Sequence, residues 1–548
     1  MVDKIYKAHK SEYGLYLEIG IISALVFVII YGVRILNPTY TTWLYNGADL
    51  TQHYLGWKAY RLSAWHFPLG IIDNLSYPNE MSVIFTDSIP LFALVFKLFA
   101  FALPSEFQYF GIWGLMSYIL QGILAARILK KYNQNRLVLI LSSSMFLFVP
   151  VMMERMYYHT ALAGQWIILL SLEVFLNWKS DDDDWKYVRR ICVIAILSAS
   201  VHIYFVLING IILFGIVLKN IINRSSLIRQ ILLLITYVLV AGVVVYILGG
   251  FVGNTSNAKE GLGVYAFNLN GFFNPAGIVD GGANIFPNLP FLTEWPDEGY
   301  SYLGAGFIFL LVFVVGIGIF GLRTSGGLFG NKGLTISLLT ISLLSIIFAL
   351  SPRAGLGQVE LYNLGLPEII LKAWSVFRAT GRIAWICMYI VMFCSLIYYM
   401  QVLNQKKLLA GALLFILLVI QVYDLGQIIT YKHNIYSSVQ THESLLQDEK
   451  WDEIAAKSKI KHIIYMSDMN IFEMFEFGNY ALNNDMTTSD FYYARSNKEI
   501  IELYRNKEIE HPTSDEIFIF KIEDESEALK YDMNCYYADE YIIMARGL

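Results

Sequence analysis

The chain has 548 residues, 56% hydrophobic, 15% aromatic and only 16% charged, with a mean hydropathy of +0.50 and a net charge of −5. That balance excludes an ordinary soluble domain, marks a polytopic membrane protein and gives no reason to expect a nucleic-acid partner. The charge is also split: residues 430–548 hold 12 Lys and Arg against 23 Asp and Glu, net −11, while residues 1–429 carry +6. Two parts are therefore expected, a basic membrane domain (1–429) and a small acidic tail (430–548).

Met1 to Lys10 leads into a long apolar segment with no convincing cleavage site, so a first span at 15–36 is expected to stay as an anchor. Lysines and arginines then recur as Lys4/Lys7/Lys10, Lys130/Lys131/Arg136, Lys179/Lys186/Arg189/Arg190, Lys219/Arg224/Arg229, Arg323/Lys332 and Lys406/Lys407. Short basic loops mark the cytoplasmic side. Spans at 107–129, 137–153, 160–178, 231–251, 303–322, 333–350, 383–401 and 408–429 connect the clusters, provided that the apolar run 191–219, basic at both ends, crosses twice. Its length is short for two crossings at ~1.5 Å per residue, which predicts two short helices bent near Ser200 to Tyr204. The fold expected is thus an α-helical multi-pass protein of the cell membrane with about eleven transmembrane helices. Its N-terminus is cytoplasmic and its tail is extracytoplasmic.

The stretch "IPLFALVFKLFAFALP" (89–104) is apolar enough to span, yet counting it would invert every later cluster. With prolines at both ends it reads instead as a helix lying at the membrane interface. The large outer loops are then 37–106, 252–302 and 351–382. Cys192, Cys387, Cys394 and Cys535 are scattered with no CxxC pair, giving neither a metal site nor a disulfide framework.

Loop 37–106 opens on "NGADLTQHYLGWKAYR", which places Asp49 just outside the first span with Gln52, His53 and Arg61 close behind. Asp73, Glu80 and Asp87 follow, the last in "FTDSIPLF". A carboxylate where a helix meets water stays ionised and still faces a lipid headgroup. A solvated loop acid explains Asp49 as well, and a helix N-cap explains Asp87.

The order of first span, long outer loop with an early acid, second acid, proline and amphipathic helix resembles the GT-C superfamily of integral-membrane glycosyltransferases. The matching pieces are "GADLTQHY", "FTDSIPLFALVFKLF" and the following span ending in "AARILKKY". "FVPVMMERMYYHTALAGQW" and "VFRATGRIAW" (376–385) are similar to segments of bacterial GT-C-like proteins. The closely spaced DxD or ExD of many members is absent, since Leu50 and Thr51 follow Asp49. No metal ligand is therefore assigned, and a divalent cofactor stays open.

The resemblance implies transfer of a sugar from a polyprenyl-phosphate donor to a cell-envelope glycan or glycolipid acceptor on the extracytoplasmic face. Displacement at the anomeric carbon passes through an oxocarbenium-like state in which a carboxylate serves as base. Asp49 is expected in that role, with Asp87 as a second carboxylate. The leaving phosphate needs cationic stabilisation, for which Arg155, His159, Arg378 and Arg382 are the candidates. Gln52, His53, Arg61 and Trp295 are expected to line the substrate loops.

Each residue also has a plainer reading. Arg378 and Arg382 lie four apart, so a helix would put them on one face, where they could simply meet lipid phosphate. Arg155 beside Glu154 could be a surface pair, and His159 an interfacial hydrogen-bonder. His202, near the expected bend, is an intramembrane ionisable group and so a functional candidate by default. Asp424 reads as a membrane exit. In loop 252–302 the rings of Tyr265, Phe267, Trp295 and Tyr300 could stack on sugars or pack on the protein, and Asn254-Thr-Ser matches a glycosylation sequon. The tail alternates "KHIIYMS", "IFEMFEFGNYALNND" and "EIFIFKI", the rhythm of a small α/β domain. Two other classes use the same ligands: a transporter or flippase of lipid-linked sugars, and a polysaccharide polymerase or ligase. The first is opposed by the missing internal repeat and by polar residues gathered on one side rather than at midplane.

Overall fold

A computed structural model describes residues 2–546 apart from 179–183, 253–260, 277–281, 293–294, 320–330, 458 and 495–497. Lys179, Arg323 and the Asn254 sequon lie outside the described residues. The chain divides into two compact units. The first comprises 1–37, 109–242 and 258–438; the second comprises 38–108, 243–257 and 439–548. The loop 37–106 thus falls almost wholly in the unit that contains the acidic tail.

The first unit is helical. Among the described residues, eight helices are long and apolar enough to cross a membrane: Glu12–Tyr31, Phe110–Lys130, Thr160–Asn177, Ile203–Ile222, Leu227–Ile247, Lys332–Ala349, Thr380–Val402 and Lys407–Asp424. The expected count of eleven is not reached on length and composition. Two expected spans are the shorter apolar helices Arg136–Phe148 and Ala305–Ile319, and a third, Asp184–Val201, begins with Asp184, Lys186, Arg189 and Arg190. Burial separates inner from outer helices. Thr160–Asn177 is 89% buried within the protein, whereas Leu227–Ile247 is 22% buried while being the more apolar of the two. Ile228, Leu232, Val238 and Leu239 of the latter are exposed, and a helix apolar all round with so little protein against it has hydrocarbon as its natural solvent.

The run 191–219 does break where expected. His202 is extended (φ −161°, ψ 135°) between Asp184–Val201 and Ile203–Ile222, and its Nδ1 accepts the Tyr204 N–H at 3.2 Å as the N-cap of the second helix. That gives His202 a structural task. The helices are not short, because the first begins in the charged stretch at Asp184 and the second runs three residues past Lys219 to Ile222. They fold back on one another, with Asn209 donating to Ser198 Oγ at 2.8 Å. Lys131 and Lys219 then meet at one helix end, donating to Leu176 O and to the Phe175 and Trp178 carbonyls. The last carbonyls of a helix are orphan acceptors, and lysine suits that end of the dipole.

Asp424 is fully buried and does more than end a span. Its Oδ2 accepts from Tyr302 Oη (2.7 Å) and from the Ala305 N–H (2.9 Å), and its Oδ1 from the Ile285 N–H (3.0 Å). It thereby fixes the end of the 282–304 segment and the start of the Ala305–Ile319 helix.

The second unit contains a five-stranded sheet in the order Thr487–Thr488, His462–Tyr465, Glu516–Lys521, Tyr541–Ala545, Asn534–Ala538. His462–Tyr465 runs parallel to both its neighbours, and the remaining pairs are antiparallel. Alternation assigns the faces. Ile463, Tyr465, Ile517, Ile519 and Ile543 pack with Trp451 and Phe477 on one side, while Ile464, Phe518, Phe520, Ile542 and Met544 pack with Ile509 and Ala528 on the other. A strand covered on both faces reads as a continuous apolar run, as "EIFIF" does. Residues 74–77 extend the Thr487–Thr488 edge, Leu75 bridging Thr488 in parallel and the Tyr77 N–H reaching Thr488 O at 2.7 Å. Lys58 ties the Ala48–Leu62 helix to Ile471–Asn483 by donating to Asn479 Oδ1 (3.0 Å) and Asn483 Oδ1 (2.7 Å). The awkward stretch 89–104 forms a nine-residue helix, Pro90–Leu98, followed by a single turn of 3₁₀ helix. At ~1.5 Å per residue that is less than half a bilayer core.

Candidate functional site

In the first unit, three segments far apart in sequence deliver charge to one place. Arg155 ends the Pro150–Arg155 helix, with His159 four residues beyond; Asp297 and Glu298 sit in the 3₁₀ turn Pro296–Gly299; and Arg382 lies in the 3₁₀ segment Thr380–Ala384 that opens the next apolar helix. A close glycine contact sets the last two together. A Cβ on Gly381 would lie 2.4 Å from Gly299 Cα and 3.1 Å from Tyr265 O, to which the Gly381 N–H donates at 3.0 Å. Only glycine admits that approach. Gly381→Ala is expected to push the turns apart and destabilise the protein by about 1–3 kcal/mol, the usual cost of overpacking. A thermal melt of purified protein checks this.

Arg382 holds Glu298 Oε2 in a fork, Nη2 at 2.6 Å and Nε at 3.0 Å, while its guanidinium lies 4.6 Å from the centre of the Tyr204 ring. Arg155, wholly buried, places Nη2 3.7 Å from the same oxygen, donates to Asp297 O, and pairs Nη1 with His159 Nδ1 at 3.0 Å. His159 Nε2 stands 3.6 Å from Glu298 Oε1. Among the described residues, Arg155 Nε has no hydrogen-bond partner. Burial alone would raise the carboxyl of Glu298, but Arg382, His159 and Arg155 hold it well below the usual carboxylate range. Burial pushes neighbouring Asp297 up, against Arg155. One carboxylate is thus shared by two guanidinium groups and an imidazole.

Several expectations change here. Arg378 and Arg382 do not share a helical face, because Ala379 (φ −83°, ψ 66°) separates a turn at Ser375–Phe377 from Thr380–Ala384. Arg382 is buried in the Glu298 pair, whereas Arg378 is exposed with its guanidinium 6.0 Å from the Tyr265 ring centre. Arg155 and Glu154 are not a surface pair, since both are buried. Phe267 and Tyr300 are packed inside, whereas Trp295 is 54% exposed beside the Pro296–Gly299 turn. Glu298 itself escaped the sequence reading. The one signal for it was an acid pair, "PDEG", in a loop that meets two arginine-bearing segments.

The first-loop residues belong to the second unit. Asp49 is half-buried in the first turn of the Ala48–Leu62 helix, where a carboxylate complements the helix dipole. That helix presses at Gly56 on Thr86 and Ser88, and Ser88 Oγ donates to His53 O at 2.7 Å. Asp87 between them adopts φ 53°; the following helix has Ile89, not Asp87, at its N-cap. Gln52 Nε2 donates to Tyr492 O at 2.9 Å. Arg61 donates to the carbonyls of Ala100, Leu103, Pro104 and Ser105, so it holds a turn in place. Among the described residues, no three His, Cys, Asp or Glu side chains gather as a metal-ligating group.

The chain is similar in structure to an oligosaccharyltransferase of Archaeoglobus fulgidus. Against the apo form the identity is 12% and the TM-score 0.43, covering 93% of this chain and 70% of that one. Against the complex with Zn and sulfate the values are 11% and 0.42, over 92% and 68%. Likeness at this level speaks to neither chemistry nor substrate. No curated protein matches the sequence. A family model described as a domain of unknown function, DUF6311, matches residues 20–426, and the model of that family's C-terminal domain matches 450–546. The chain belongs to the DUF6311 family.

Proposed function

We propose that this chain is a membrane glycosyltransferase that moves a sugar from a polyprenyl-phosphate donor to a cell-envelope glycan or glycolipid on the extracytoplasmic face. The observation that carries the reading is the cationic locus of Arg155, His159 and Arg382 around the Glu298 carboxylate, gathered where apolar helices begin and end. Ionisable groups are costly in such surroundings and are kept there for function. An excess of guanidinium over carboxylate suits an anion, and a phosphate leaving group needs that stabilisation more than a proton. Arg378, exposed and outside the Glu298 pair, is the group proposed to meet the donor phosphate. Asp49 is proposed as the base and Asp87 as the second carboxylate. A lipid-linked donor also accounts for a catalyst built from membrane helices.

The test is incubation of purified protein with a panel of radiolabelled polyprenyl-phosphate sugars and a cell-envelope extract. Label leaving the lipid for the extract supports transfer. Label that stays on the lipid but changes leaflet in vesicles supports a flippase instead. Arg378→Ala is expected to weaken donor binding more than turnover of bound donor; unchanged affinity would make Arg378 an ordinary surface arginine.

A further inference from the structure

The tail carries a second polar constellation. From the central strand His462–Tyr465 the chain crosses by the Ile471–Asn483 helix to Thr487–Thr488, then returns by Lys498–Glu510 to Glu516–Lys521 on the other side. Phe477 of the first helix packs on one face of the sheet and Ile509 of the second on the opposite face. Successive parallel strands that diverge in this way leave a crevice at their carboxyl ends, the usual place for a ligand in an open α/β sheet.

Asp468 and Asp490 follow the carboxyl ends of His462–Tyr465 and Thr487–Thr488, and Arg505 reaches both. Its Nη1 is 3.7 Å from Asp468 Oδ1 and its Nη2 3.5 Å from Asp490 Oδ2. Those separations exceed a good N–H···O bond, so the guanidinium donors are not consumed. Arg505 is only 8% exposed, yet among the described residues its Nε has no hydrogen-bond partner. Burial pushes the Asp490 carboxyl up to about 6, with Arg505 offsetting only part of it. A buried donor or acceptor left unmatched is costly and asks for a partner.

We propose that this edge of the tail binds a neutral saccharide, with Arg505, Asp490 and Asp468 as its polar ligands. Asp468 and Asp490 are matched by Arg505 and by Lys498, which also acts on Asp490, so no surplus of positive charge draws an anion. A sugar hydroxyl both donates to a carboxylate and accepts from a guanidinium N–H, so neighbouring hydroxyls of one ring can engage Asp468, Asp490 and Arg505 from the solvent side. Phe472 and Tyr492, four residues beyond Asp468 and two beyond Asp490, both pack against Phe475 and stay 54% and 38% exposed, leaving ring surface on which a sugar can stack.

The experiment is equilibrium dialysis of the full chain in detergent against a panel of radiolabelled neutral mono- and disaccharides, with glucuronate, inorganic phosphate and calcium as competitors. Saturable binding of a neutral saccharide, weakened roughly tenfold or more by Asp490→Asn and by Asp468→Asn, is expected. Asp468 is fully exposed, so Asp468→Asn keeps the parental melting temperature and tests the ligand role even if Asp490→Asn unfolds the tail. Three results would overturn the proposal: no saturable saccharide binding, binding indifferent to Asp468→Asn, or displacement by phosphate or calcium alone. It does not depend on the transferase reading. A sugar bound through the membrane helices would be insensitive to Asp468→Asn, and loss of transfer activity would leave the dialysis result standing.

Discussion

Asp49→Asn is expected to lower sugar transfer roughly 10²–10⁴-fold, the usual contribution of a positioned base. Asparagine keeps the size of the side chain and loses only its basicity. The Ala48–Leu62 helix has other anchors, including Trp57 Nε1 on Phe107 O at 2.9 Å and Lys58 on Asn479 and Asn483. Expression, melting temperature and donor affinity should therefore match the parent, and the loss should appear in turnover. Asp87→Asn is a companion free of backbone artefact, because Asp87 sits at φ 53° and asparagine tolerates the left-handed region. A parental rate for Asp49→Asn with a crippled Asp87→Asn would transfer the base assignment to Asp87. Parental rates for both would remove the case for transfer and favour transport.

How much of this was legible depends on whether the signal was local. The break at His202 was legible because an apolar run basic at both ends must turn back on itself, and the length of 191–219 placed the turn. The strand rhythm of the tail was legible from short apolar runs such as "EIFIF", which alternate with helical ones. The spacing of Arg378 and Arg382 misled, since four residues means one face only if a helix runs through them, and Ala379 interrupts it. The pairing of residues 74–77 with Thr488 carries no local signature. Glu298 was hidden for the same reason. Its partners come from positions 155, 159 and 382, and nothing periodic in "EWPDEGYSY" announces that two arginines need a counter-charge.

That need makes Glu298 the residue whose loss should be felt most in stability. Arg155 is wholly buried and Arg382 nearly so, and removing one partner of a buried ion pair costs about 3–5 kcal/mol because the remaining charge is stranded. Glu298→Ala strands two, so a pronounced fall in melting temperature is expected. Glu298→Gln, which keeps an oxygen for the Arg382 fork, should fall less. The pH dependence gives an independent reading. The folded carboxyl of Glu298 is held below its unfolded value, so the folded state resists protonation there. Its stabilisation is complete above about pH 4.5, near the ordinary glutamate pKa, and is lost as the pH falls below that toward the folded pKa. Melting curves between pH 7 and pH 3 should show the parent losing stability over the acid limb and Glu298→Gln, which has no such proton to bind, losing less. A Glu298→Ala protein that melts with the parent at neutral pH would mean that Arg155 and Arg382 are satisfied elsewhere, and the cationic locus would lose the carboxylate that organises it.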